Sequence, residues 1–116
     1  LKTLERYVST PVKDDRDRAG IIQAFEFCYE LAWLTIKKKA EDRGLEAPTP
    51  LDAFRAGYQM GIIEEKDQKL WLEIKDTRNL TSHTYKEELA EQVLKLIKLK
   101  YVKILHSLLE KLERQT

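Results

Sequence analysis

The side chains able to do chemistry crowd into one stretch, Arg78-Asn79-Leu80-Thr81-Ser82-His83-Thr84-Tyr85. It holds a fixed positive charge, a carboxamide, a serine hydroxyl, one of the chain's two histidines and a phenol. On an α-helix each residue turns the side chain by about 100°. With Arg78 at zero, Ser82 falls at roughly 40°, Asn79 at roughly 100° and His83 at roughly 140°, so the four form one polar arc about a third of a turn wide. Arg78 and Ser82 are i,i+4 neighbours, as are Asn79 and His83. Arginine offers a planar, permanently charged fork that fits a phosphate. Histidine gives and takes a proton near neutral pH. Together they form a minimal set for metal-free cleavage of a phosphodiester. The same residue types also suit a buried polar network at a helix junction, bonded to each other and to a facing carboxylate.

A facing carboxylate is available. Glu26 and Glu30 are an i,i+4 pair in a different apolar stretch, and Glu26 lies between Phe25 and Phe27. Glu26 is therefore the favoured partner to orient Arg78 or His83; the other reading is an ordinary exposed pair beside Lys37 and Lys38. The run Lys37-Lys38-Lys39 reads as a solvated face near a helix C-terminus, where cations are favourable. His106 falls within the packing region of the last helix and reads as a structural or surface histidine. Cys28 is the only cysteine and sits in an apolar run, so it reads as a small core residue. It leaves no intrachain disulfide and no cysteine-based metal site.

The elements that must position these residues are helices. Leu4 and Val8 mark the remnant of a first helix, broken at Ser9-Thr10-Pro11. A second helix starts between Asp14 and Asp17, where acids suit the positive end. It runs to about Arg43, with Gly44 just past its end. Ile22, Phe25, Tyr29, Ala32, Trp33, Ile36 and Ala40 form its main apolar stripe. Phe27, Leu31 and Leu34 lie off that stripe, and a helix apolar on more than one side is buried on more than one side. A short third helix opens with Thr49 as N-cap, Pro50 at the first position and Asp52 at the third, and ends at Gly61. Gly57 permits close approach there. A fourth helix begins near Glu65, carries Leu70, Trp71, Ile74 and Arg78, and ends near His83. Thr84 and Glu87 read as a capping box that opens the last helix. His83 and Tyr85 then straddle a tight corner where backbone N–H groups could hold an anion. The last helix runs to about Glu113, with a stripe of Leu89, Val93, Leu96, Ile97, Tyr101, Ile104, Leu108 and Leu112. Leu94, Val102, Leu105 and Leu109 broaden it. The predicted fold is all-α: an antiparallel up-and-down four-helix bundle with an additional short helix, in a single domain over residues 1–116.

The chain has 116 residues, 42% hydrophobic and 35% charged, with few glycines and prolines. That is one globular domain rich in helix formers. Its net charge is +1, from 21 basic and 20 acidic residues, which argues against a dedicated duplex-DNA binder. There is no phosphate-binding glycine loop and no His-Glu-x-x-His or comparable pattern, so neither a cofactor nor a metal is expected. No run of about 18 apolar residues and no signal peptide is present, which makes the cytoplasm the default location. The chain begins at Leu1 without Met, so its true start is expected upstream.

Arg78-x4-His83-x-Tyr85, with Asn79 directly after the arginine, resembles the signature of HEPN proteins (higher eukaryotes and prokaryotes nucleotide-binding). The branch it is most similar to is that of small helical nucleotidyltransferase substrate-binding proteins, or HepT-like toxins. Ile22-Gln23-Ala24-Phe25-Glu26-Phe27-Cys28-Tyr29-Glu30-Leu31-Ala32-Trp33 and Trp71-Leu72-Glu73 also look like that branch, and the resemblance runs from about Arg18 to Tyr85. One departure is Arg18, followed by Ala19 where an acid is expected; Asp17 lies on its other side. The resemblance implies a substrate-binding or toxin subunit of a minimal nucleotidyltransferase, in a toxin–antitoxin pair, acting as a homodimer. It implies metal-independent RNase chemistry in which Arg78 holds the scissile phosphate, His83 moves a proton, and Asn79 and Ser82 position them on an RNA or nucleotide substrate. In some relatives the motif tyrosine accepts AMP from the partner, and Tyr85 occupies that position. The alternative is a non-catalytic helical nucleotide-binding or protein-interaction module with a degenerate site.

Overall fold

The computed structural model describes residues 1–9, 12–83 and 86–114, and no strand occurs among them. Helix α1 is Lys2–Val8 and α2 is Asp15–Asp42. The side chain of Asp14 caps α2 by accepting from the Asp17 N–H at 3.0 Å. At its far end Gly44 takes a φ of +79°, which lets the Leu45 and Gly44 N–H groups return to the carbonyls of Ala40 and Glu41. Helix α3, Pro50–Gln59, is capped by Thr49 as the residue types require. Gly61, at φ +76°, ends it in the same manner, with Ile62 N–H on the Gly57 carbonyl at 2.8 Å.

A single 3₁₀ turn, Glu65–Asp67, leads into α4, Gln68–Leu80, and a second, Thr81–His83, follows it. Helix α5 is Glu87–Leu96. A π turn over Ile97–Tyr101, closed by Val102 N–H on the Ile97 carbonyl, carries it without a break into α6, Val102–Arg114. The expected capping box falls in part on a residue that is not described. Thr84 lies outside the described residues, Lys86 takes the cap position with no side-chain cap bond, and Glu87 is the first helical residue rather than the third. Its charge still favours the helix's positive end.

These helices form an all-α bundle in which α1, α2, α4 and α5–α6 run alternately up and down, with α3 packed across α2 and α4. The antiparallel sense of α2 and α4 brings Arg78 level with Glu26. That of α4 and α6 brings Thr77 level with Tyr101. The α2 stripe read from the sequence is buried apart from Trp33, which is partly covered. A chain of aromatic contacts crosses the core: Trp71 on Phe54 (5.1 Å), Phe54 on Tyr29 (6.0 Å), Tyr29 on Phe25 (6.5 Å) and Phe25 stacked on Tyr101 (5.6 Å). The π turn places the fully buried Tyr101 so that its O–H donates to Glu73 Oε2 at 2.8 Å. Its oxygen is then left to accept from Thr77, also at 2.8 Å. Burial, with the hydrogen bond and charge of Glu73 adding to it, pushes the Tyr101 phenol up to about 12 against the lowering effect of the Thr77 hydrogen bond, so this donor keeps its proton across the physiological range.

Gly57 is where α3 meets the core closely. A methyl there would lie 3.1 Å from Ile63 Cδ1 and 3.4 Å from Ile36 Cγ2, both on buried side chains. Gly57→Ala would gain roughly 0.5–1 kcal/mol of helix propensity and lose roughly 1–3 kcal/mol to overpacking. The expected net is a loss of about 1 kcal/mol, read from the urea midpoint; a midpoint at or above that of the parent would refute the close packing.

His106 ties α1 to α6. Its Nδ1 lies 3.3 Å from Glu5 Oε1 and its Nε2 lies 3.1 Å from Glu110 Oε2. The hydrogen bond to Glu5, then the charges of Glu5 and Glu110, raise its pKa above the ordinary 6.5. A raised histidine pKa means that the clamp is fully present below the unfolded value and is lost as pH rises through the folded one. The urea midpoint of the parent chain should therefore exceed that of His106→Gln below about pH 6. The gap should close as pH rises through the raised folded value and shrink with salt. A gap that stays constant with pH would mean that packing, not charge, is what the variant removes.

Three apolar side chains of α2 face outward: Phe27 is 70% exposed, Leu31 45% and Leu34 47%. Among the described residues no helix is long and apolar enough to cross a membrane.

Candidate functional site

Arg78 lies in the last turn of α4, with its side chain 28% exposed. Its guanidinium crosses to α2, where Nη1 meets Glu26 Oε2 at 3.0 Å and Nε lies 3.9 Å from Glu30 Oε1. Thr81, one turn on and buried, completes the knot. Its hydroxyl accepts from Arg78 Nη1 at 2.9 Å and shares its one proton between the Arg78 carbonyl (2.6 Å) and Glu26 Oε2 (3.0 Å). Arg78 is thus fixed between two helices and the 3₁₀ turn. Its Nε is buried and makes no hydrogen bond. An unmade bond from a buried charged donor is costly. Glu30 is held in turn by Trp33, whose ring N–H donates to it at 2.9 Å. Just beneath, burial, with Glu30 adding to it, pushes the Tyr29 phenol up to about 12, against the lowering effect of Arg78.

The polar arc expected from helical angles does not survive in this form. The α-helix stops at Leu80, and the following turn is 3₁₀, with about three residues per turn. The Ser82 hydroxyl turns back to the Asn79 carbonyl at 3.2 Å instead of reaching Arg78. Asn79, Ser82 and His83 are all exposed, at the same helix end as Arg78 but on its solvent side. Glu26 and Arg78 are brought together, while Asn79 and Ser82 are not brought onto the guanidinium. Tyr85 lies outside the described residues. Among the described residues no cluster of three or more His, Cys, Asp or Glu is placed to hold a metal ion.

Two parts of this arrangement were not read from the sequence. Thr81 was not singled out, although its position three residues after Arg78 on the core-facing side was a usable signal. The second is the partner of Arg18. This arginine is only 9% exposed and pairs across the bundle with Glu91 of α5, so the carboxylate absent at Ala19 is supplied from 73 residues away.

The family model for nucleotidyltransferase substrate binding protein like matches residues 1–114. The chain belongs to this family. This HEPN/HepT-like, nucleotidyltransferase substrate-binding protein is also similar to the probable ribonuclease HepT of Haemophilus influenzae, with 35% identity over 80 residues. That match covers 65% of this chain and 53% of the relative, so it spans about half of the relative's length. A crystal structure of a protein from Thermus thermophilus superimposes with a TM-score of 0.85 at 28% identity, covering 96% of this family member and 93% of that chain.

Proposed function

We propose that this HEPN-family chain is the partner subunit of a minimal nucleotidyltransferase in a toxin–antitoxin pair and cleaves RNA without a metal. Arg78 binds and stabilises the scissile phosphate, and His83 moves the proton of the 2′-hydroxyl or of the leaving oxygen. The observation that carries this reading is the pinned Arg78: a guanidinium positioned by Glu26 and Thr81 at the helix end that exposes His83. Positioned cationic donors of this kind stabilise charge that develops on a phosphoryl oxygen. In this reading Asn79 and Ser82 position the substrate phosphate or His83 from the solvent side. The name of the Haemophilus influenzae relative supports the RNase reading, and the family's description supports the nucleotidyltransferase partner. The outward stripe of Phe27, Leu31 and Leu34, on the same helix as Glu26 and Glu30, supports a homodimer that brings two such helix ends together.

One observation favours the second reading, a non-catalytic binding module. Glu26 and Glu30 already surround Arg78, so an incoming phosphate must compete with carboxylates. The test is RNA cleavage by the purified chain in chelator. Products ending in 2′,3′-cyclic phosphate support the nuclease. No cleavage, together with AMP found on Tyr85 after incubation with the nucleotidyltransferase and ATP, supports the binding partner.

A further inference from the structure

The two carboxylates that face Arg78 do not hold it alike. Glu26 Oε2 lies 3.0 Å from Nη1 and also accepts from Thr81, so that edge of the guanidinium is bonded. Glu30 Oε1 stands 3.9 Å from Nε, beyond hydrogen-bond reach, although Nε is buried and makes no bond. Burial does not hold Glu30 back, since its side chain is 44% exposed. The restraint is on its other side, where the Trp33 ring N–H donates to Oε2 at 2.9 Å. Trp33 is packed against the core, and Lys37 Nζ stands 5.9 Å from the ring centroid, so the indole is anchored. Closing the gap between Oε1 and Nε draws Oε2 away from that anchored donor. Charge decides what the gap means for an anion. One guanidinium faces two carboxylates, so the fully closed knot would repel a phosphate. With Nη1 bonded and Nε enclosed, Nη2 is left to meet one.

We infer that Trp33 and Glu30 form a latch on Arg78: the indole N–H holds the Glu30 carboxylate off Nε and so sets how readily the guanidinium takes a phosphate group. This rests on the proposed role of Arg78 as the phosphate-binding group and adds two positioning residues to it. Glu30 is the charge that closes the latch, and Trp33 is the restraint that keeps it open. Neither touches the substrate; both act through Arg78. A Trp33 that only filled space would matter equally whether or not position 30 carried a charge.

The experiment is a double-mutant cycle on the full chain. Inorganic phosphate is titrated at constant ionic strength, and NMR follows the Arg78 Nε–Hε signal and the Thr81 amide. Glu30→Gln removes the charge and keeps an oxygen for the indole N–H; it is expected to tighten phosphate binding about fivefold. Trp33→Phe keeps an aromatic ring facing Lys37 and removes the donor. Glu30 then closes on Nε, and phosphate binding is expected to weaken about threefold. In the Glu30→Gln background, Trp33→Phe is expected to leave phosphate binding unchanged, because no charge remains to release. A Trp33→Phe effect of equal size in both backgrounds would overturn the latch. So would a Glu30→Gln chain with the parent's affinity, a criterion that holds even where Trp33→Phe fails to fold. Phosphate that leaves the Arg78 signal unmoved in every variant would overturn it as well, together with the phosphate role of Arg78. The expected cycle in a chain that does not cleave RNA would support the latch and sink only the nuclease.

Discussion

His83→Ala is expected to lower metal-independent RNA cleavage by roughly 10²–10⁴-fold, the usual contribution of a positioned proton-transfer group. The fold should be unaffected, because His83 is exposed in the 3₁₀ turn beyond α4 and lies outside the hydrophobic core. Parent and variant are compared at matched helicity, sedimentation and salt. A fall in kcat with little change in KM is the pattern for a group that acts in the transition state rather than in binding. Arg78→Lys provides the companion measurement. It keeps the charge but loses the planar fork that reaches Glu26, Glu30 and Thr81 together. It should depress cleavage too, with part of the loss in KM. Cleavage that His83→Ala leaves unchanged would remove His83 from the chemistry.

The largest stability effect is expected at Trp71. It is 2% exposed, stacks at a tilt on Phe54 and is the foot of the aromatic chain that runs to Tyr101. Trp71→Ala should cost about 3–5 kcal/mol, a large part of the roughly 5–15 kcal/mol that holds a domain of this kind together. Urea titration followed by far-ultraviolet circular dichroism measures it, with Trp33 as a second, fluorescent probe. Trp71→Phe fills most of the volume and should cost well under half as much. A loss below about 1 kcal/mol for the alanine variant would mean that the core relaxes around the hole. Because α4 carries both Trp71 and Arg78, anion binding at Arg78 should weaken in the alanine variant even where the chain remains folded.

The element boundaries were legible because the chain marks them with residues of narrow use. Asp14, Thr49, Gly44 and Gly61 each do at their helix end what their side chain, or its absence, allows. The buried stripe of α2 was legible for the same reason that its exposed stripe was: both repeat with the helical period. Of the candidate site, the Glu26–Arg78 pairing was legible in the sequence, but the angles were not. Extrapolating 100° per residue past Leu80 ignores the change to 3₁₀ geometry at Thr81, which threonine's type does not announce. The π turn at Ile97–Tyr101 left no trace in the apolar spacing either. The Arg18–Glu91 pair depends on tertiary placement across most of the chain, which no local pattern encodes.

Helix α2 presents three faces: one to the core, one to Arg78, and one that carries the outward stripe of Phe27, Leu31 and Leu34. Its tolerance to substitution should therefore look unlike that of a surface helix. In a saturation scan with a growth or binding readout, sensitivity along α6 should rise and fall with the helical turn. Along α2 from Ile21 to Ile36 it should run almost unbroken, relieved at Gln23 and Thr35. In such a scan that near-continuous sensitivity would be mistaken for a binding motif by a reader who did not know that core, Arg78 and outward stripe each occupy a different face of the helix.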